Sequence, residues 1–160
     1  MEQSYQTLIS QLLDAAKTAG ASGADAMLAR GQSTSVSVRH GKVESSERSE
    51  DFDIGLRVFV GQQTASISTS QLDPDNIKEL AARAVVMAKL APEDPHVGLA
   101  TADQLAQHIP KLEIFDPTIP DADSLRQRAC DAEAAALAVN GITNSDGGNA
   151  GHGVVGVLIA

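Results

Sequence analysis

A chain of 160 residues is long enough for one domain, or one domain with a short extension, and can bury roughly two-thirds of its unfolded surface. Its formal net charge is −9, and no two of its twelve Lys and Arg are adjacent. A polyanion would be repelled rather than gripped, which excludes nucleic acid as the main partner. With no Trp, one Tyr and three Phe, stacking on bases or sugars is excluded too, and the core has to be assembled from small aliphatic side chains.

Cys130 is the single cysteine, so no intramolecular disulfide can form, as expected in a reducing compartment. Met1 leads into a polar amphipathic segment without a basic n-region or an apolar h-region. No run near 18 apolar residues follows, and the expectation is a soluble, cytoplasmic protein with no membrane partner.

From Tyr5 to Ala19, Leu8, Ile9, Leu12, Leu13 and Ala16 recur at helical spacing, with Ser4 as a candidate N-cap and Gly20 where a left-handed residue closes a helix. From Ala24 to Thr69 the period becomes two. Ala24, Ala26 and Leu28 alternate, as do Thr34, Val36 and Val38; His40-Gly41 then has the length and glycine of a tight turn. Lys42 to Asp53 alternates with almost nothing apolar in it. Ile54 to Val60 is β-branched and apolar, Gly61-Gln62 turns the chain, and Thr64 to Thr69 pairs back. This reads as an antiparallel meander of four or five strands.

Asp73-Pro74 predicts a helix start, Asp73 capping and Pro74 in first position, with Ile77, Leu80, Ala81, Ala84, Val85 and Ala88 as its apolar stripe. Residues 92–120 hold five of the six prolines and should form an ordered but irregular connection, helical only around Asp103 to Gln107. A third helix is expected from Asp121 or Asp123 to Val139, turning Leu125, Ala129, Ala132, Ala136 and Leu137 inward and stopping at Gly141. A short strand at Ile142-Thr143, turns from Asn144 to Gly153 and an apolar strand from Val154 to Ala160 complete the pass. That last strand has no polar closing segment, so a larger chain could continue from it; left without neighbours, it could drive self-association. The expected fold class is α+β: an antiparallel sheet with helices packed on one face and a polar face exposed, as one domain over residues 1–160.

Chemistry-bearing groups are sparse. His40, His96, His108 and His152 lie far apart, and His40 opens no HExxH helix, so they read as isolated surface histidines rather than zinc ligands. The serines between Ser33 and Ser70 alternate along strands, and no G-x-S-x-G elbow is present. Cys130 lies among alanines, where a small buried thiol is the plainer reading. Gly151-His152-Gly153-Val154-Val155-Gly156 has the letters of G-x-G-x-x-G but no helix or acidic ribose ligand after it, and a dinucleotide site is rejected. Glu44, Glu47, Arg48 and Glu50 sit on the polar strand. The bland reading is a solvated face; the sharper one follows because a strand polar on both sides cannot cross a dry core. It must edge the sheet, or line an interface or wet cleft, which makes these four the candidate peptide- or partner-binding residues. No catalytic or metal-binding residue is assigned.

Three stretches resemble one family. They are Gly20 to Ala26 with Ser33 to Glu44; Gly55-Leu56-Arg57-Val58-Phe59-Val60-Gly61 on to Ser70; and the Ile77 to Ala91 helix with Glu93-Asp94-Pro95 and Gly98-Leu99-Ala100. In this order they are similar to the N-terminal region of TldD/PmbA proteins, the "modulator of DNA gyrase" group, and more to the PmbA/TldE branch, as is Ile142 to Gly147. The resemblance implies a subunit that pairs with TldD in a heterodimeric zinc metalloprotease degrading or maturing small unfolded peptides. It implies that the HExxxH-type zinc motif is carried by the TldD-like partner, and that a C-terminal domain of the family is absent here. No catalytic residue carries over, because none of the motif's positions exists in these 160 residues. The expected function is therefore a non-catalytic subunit of such a complex. The alternatives are a catalytic peptidase whose site lies in missing C-terminal residues, or an interaction module linked to gyrase modulation.

Overall fold

A computed structural model describes residues 2–71 and 74–160. Helix α1 (Glu2–Thr18) is followed by three strands, β1 (Gly23–Arg39), β2 (Lys42–Val60) and β3 (Gln63–Thr69). Helix α2 (Pro74–Leu90) comes next. A single 3-10 turn (Ala102–Gln104) interrupts the long connection to helix α3 (Ala122–Leu137), and β4 (Gly148–Ile159) ends the chain. The sheet is antiparallel with strand order β3-β2-β1-β4, and the α+β class expected from the alternation and the helical stripes is the class observed.

Two compact units form on the long β1–β2 hairpin. The first takes in α1, β1 as far as Arg30, β2 from Asp51, β3, α2 and the chain on to Pro110, and the last residues of β4 from Gly156. Its core is the predicted stripes meeting the sheet. Ile9, Leu12 and Ala16 come from α1; Ala26 and Leu28 from β1; Ile54, Leu56 and Val58 from β2. Helix α2 adds Ile77, Ala81, Ala84, Val85 and Ala88, its alanines letting it approach closely. Tyr5 stacks at 5.8 Å on Phe52 at the edge of this core. Ser22 pins the start of β1 to the β2–β3 turn: its hydroxyl donates to the Phe59 carbonyl (3.0 Å) and accepts the Gly61 N–H (3.1 Å).

The second unit takes in Gly31–Glu50 and Lys111–Val155. Its core is smaller: Val36 and Val38 from β1 against Leu125 and Ala129 from α3, with Cys130 and Ala150 half-buried beside them. Asp121 caps α3, its carboxylate accepting the Ser124 N–H at 2.8 Å.

Several sequence expectations are corrected. Ser4 lies inside α1 rather than capping it, because the helix already includes Glu2 and Gln3. Pro74 is the first residue of α2 as expected, while its proposed cap Asp73 lies outside the described residues. Residues 24–69 hold three strands rather than four or five, because β1 and β2 each run unbroken through 17 and 19 residues; the fourth strand comes from the C-terminal segment. Ile142-Thr143 is not a strand, and β4 instead begins at Gly148, six residues before the apolar run. Ala132, Ala136 and Leu137 face solvent, and the helix ends at Leu137 rather than Val139. Its buried stripe is Leu125, Ala129 and Glu133, spaced four apart. A carboxylate therefore occupies the place where an apolar residue was sought.

The start of β4 explains why glycine precedes the valines. Gly147 is in the left-handed region (φ +112°), and a Cβ on it would run into the Val38 carbonyl; a Cβ on Gly148 would run into the Ala129 carbonyl of α3. Gly156, further along the same strand, has open space around it. Gly148→Ala and Gly147→Ala are each expected to destabilise the protein by about 1–3 kcal/mol or more, and Gly156→Ala to stay within about 0.5 kcal/mol. Urea unfolding of the three variants checks this ordering.

Candidate peptide- and partner-binding surface

The polar strand is set by its hairpin. His40 and Gly41 both take positive φ (50° and 70°), the pair of left-handed residues that a two-residue turn of the right twist requires. From there β2 runs outward-polar until Phe52. Strand β3 pairs with β2 only from Ile54↔Thr69 to Val60↔Gln63, so the stretch before Ile54 extends past the end of β3. Of the two sequence-derived placements, the sheet edge is the one realised: a strand polar on both sides is tolerated there because no dry layer covers it.

Glu44, Glu47, Arg48 and Glu50 are all exposed. The structure brings two of them together, Arg48 Nη2 lying 2.6 Å from Glu50 Oε1. Both are well solvated, which makes this a weak pair. Glu44 and Glu47 have no ion-pair partner among the described residues. The four are neighbours on one strand rather than a converging pocket, and what they offer is charge beside a strand edge.

Two features escaped the sequence reading. The first lies in the first unit, on the sheet face opposite the core. Arg57 donates through Nε to Asp25 Oδ1 (3.0 Å) and through Nη2 to Asp25 Oδ2, and its guanidinium lies 5.2 Å from the centre of the Phe59 ring. The pair sits in a shallow cavity of about 420 Å³ walled by Met27, Ser66, Ser68 and Ile159. Alternation alone places Arg57 opposite the buried Leu56 and Val58; its partner across the sheet needed the register.

The second is Glu133. Only 3% exposed, its carboxylate accepts the backbone N–H of His40 (Oε1, 2.8 Å) and of Gly41 (Oε2, 2.9 Å). Both amides of the turn are satisfied by one anion. Those two hydrogen bonds, the Gly41 amide first, hold the carboxyl below the usual carboxylate range, with smaller help from the charges of His40 and Arg39. Arg39 itself reaches Asp146 at 3.9 Å. The signal in the sequence was the four-residue spacing from Leu125 and Ala129, overridden by the rule that charges face water.

A zinc centre needs three or more His, Cys or carboxylate donors within reach of one point. Among the described residues no such group exists, so these side chains do not fit a metal site. Gly151, Gly153 and Gly156 all lie on β4, with no strand-to-helix turn for a pyrophosphate. No helix among the described residues is long and apolar enough to cross a membrane.

The described residues thus present a polar strand edge and exposed apolar side chains. Residues 24–88 match the profile described as PmbA/TldA metallopeptidase domain 1. Over 147 residues, 91% of this chain, it is 35% identical to the metalloprotease PmbA homolog of Haemophilus influenzae, covering 32% of that protein. It is 34% identical to metalloprotease PmbA of Escherichia coli O157:H7 over 82% of this chain and 30% of that protein. The fold recurs in a candidate modulator of DNA gyrase from Bacteroides thetaiotaomicron, with a TM-score of 0.84 at 20% identity over 96% of this chain and 36% of that one. It also recurs in TldE from Thermococcus kodakarensis, with a TM-score of 0.70 at 15% identity over 96% of this chain and 35% of that one. The chain belongs to the PmbA/TldD family, on its PmbA side, and spans about a third of the length of the curated relatives it matches.

The Glu133 clamp has a pH signature with a definite sign. A carboxyl whose folded pKa is depressed stabilises fully above its unfolded value, near the ordinary 4.5, and that stabilisation fades as pH falls through the lower folded value. Glu133→Gln should therefore be less stable than the parent at pH 7, with the gap closing in acid below pH 4.5. Urea midpoints across that range measure it.

Proposed function

We propose that this chain is the partner-binding part of a non-catalytic PmbA/TldE-type subunit, which acts with a TldD-like protein in a cytoplasmic zinc metallopeptidase complex on small unfolded peptides. Family membership supports a peptidase-associated role. The observation that carries the subunit reading is the amount of apolar surface left uncovered. Along the connection, Leu105, Ile109, Leu112, Ile114, Phe115 and Ile119 are all exposed, Ile109 and Ile114 by more than four-fifths, as are Val155, Val157 and Ile159 on the edge strand β4. Exposed apolar side chains in such number mark an interface. In this reading the zinc belongs to the partner, and the Lys42–Asp53 stretch, with Glu44, Glu47, Arg48 and Glu50, borders the path of an extended peptide that adds to the strand edge.

A second reading has one observation in its favour. The relatives are named metalloproteases and this chain corresponds to about a third of each, so the catalytic residues of a peptidase active by itself would lie outside the matched third.

Mixing the protein with its TldD-like partner and an unfolded peptide separates the two. Chelator-sensitive cleavage in the mixture, with neither component active alone, is the expected result; cleavage by this protein alone replaces the first reading with the second. Within the mixture, the triple reversal Glu44→Lys, Glu47→Lys, Glu50→Lys should slow peptide or partner association by roughly tenfold at low salt, as reversals of rim charges do. Unchanged processing would remove the polar strand from the proposal.

A further inference from the structure

We propose that α3 is a releasable cover on the distal hairpin, latched by the Glu133 carboxylate on the His40 and Gly41 amides. It detaches as a local unit while the core around Leu12, Leu56 and Val85 stays folded. The inference concerns the fold's own mechanics and holds whichever functional reading is correct.

Helix α3 has little else to hold it. Of its 16 residues, three are buried: Leu125, Ala129 and Glu133. Among the described residues, the buried cluster that the apolar pair joins contains Val36 and Val38, with Cys130 and Ala150 in partial support. The first unit, by contrast, closes thirteen buried side chains around α1 and α2. A 16-residue helix is marginal by itself in water, so α3 is helical chiefly because it is docked, and its docking stripe is one side chain wide.

Glu133 is also placed against its helix's own preference. It sits four residues before Leu137, near the negative end of the macrodipole, where a carboxylate is disfavoured. What compensates lies outside the helix. The two left-handed residues of the turn direct their N–H groups to one point, forming an anion-binding concavity, and the carboxylate fills it from a buried position. On release, the carboxylate and both amides are taken up by water, so opening leaves no buried polar group orphaned. Loss of one partner while the helix stays docked does leave one orphaned, and that asymmetry is what makes a latch. The Gly148 backbone, packed against the Ala129 carbonyl with no side chain between, lets the helix seat closely without interlocking.

Hydrogen exchange read peptide by peptide on the intact chain tests this. In Glu133→Gln, amides of α3 and the His40–Gly41 turn should exchange about tenfold faster or more, as loss of hydrogen bonds to a charged group implies, while α1 and α2 keep their parental rates. Leu125→Ala, which thins the same stripe, should accelerate the same peptides. In the unaltered protein at low urea, α3 exchange should rise with a shallower denaturant dependence than α1 and α2, the mark of a smaller opening. Equal acceleration of α1, α2 and α3 in Glu133→Gln, or a common denaturant slope for all three helices, would overturn the proposal, as would α3 rates untouched by both substitutions.

Discussion

Strands of 17 and 19 residues are about three times the usual length. A strand advances about 3.3 Å per residue, about twice the 1.5 Å per residue of a helix such as α1 or α2. One helix pair cannot cover such a hairpin. Every other feature of the molecule answers that constraint. The apolar residues of β1 come in two groups, Ala26 with Leu28 and Val36 with Val38, and each group is closed by its own helices. Between them β1 turns polar or glycine-bearing, and β2 is polar at every position from Glu44 to Asp51.

That division explains why the core is strong where helices contribute many alanines and thin where a single helix returns. The alanine stripe of α2 (Ala81, Ala84, Ala88) allows it to lie close on the sheet beside α1, at the cost of small buried area per residue. In the second unit there is one helix and four buried apolar side chains, and the fold adds polar fixation in compensation: the Asp121 cap on α3, the Asn149 side chain bonded to Ser37 at 2.8 Å, and the carboxylate on the hairpin turn. Burying a charge is ordinarily a liability; here it is acceptable because both oxygens of Glu133 meet donors that the turn would otherwise leave facing a helix.

Much of this was legible in the residues. The stripes of α1 and α2, Pro74 at a helix start, Asp121 at another, both tight turns and the polar strand all follow from local rules that the tertiary structure obeys. Glu133 was not legible, because its burial depends on amides 92 and 93 residues away in sequence, and composition counts a Glu in a helix as solvent-facing. The extent of β4 was hidden for a related reason. Gly147 to Gly153 looks like a turn by composition, yet Gly147 and Gly148 let backbone pass close to Val38 and Ala129. Of the candidate site, the polar strand could be read from alternation, while its place at the sheet edge was one of two alternatives that only the pairing of β3 decides. The Asp25–Arg57 pair could not, since it joins neighbouring strands through a register that no local pattern specifies.

Tyr5 and Phe52 stack beside one another within the first unit, and Tyr5 is the chain's single tyrosine in the absence of any tryptophan. The near-ultraviolet absorption and emission of the protein therefore originate almost wholly from one half of it. Melting followed by tyrosine emission would watch that half alone, and the release of α3 would have to be read from its peptide groups.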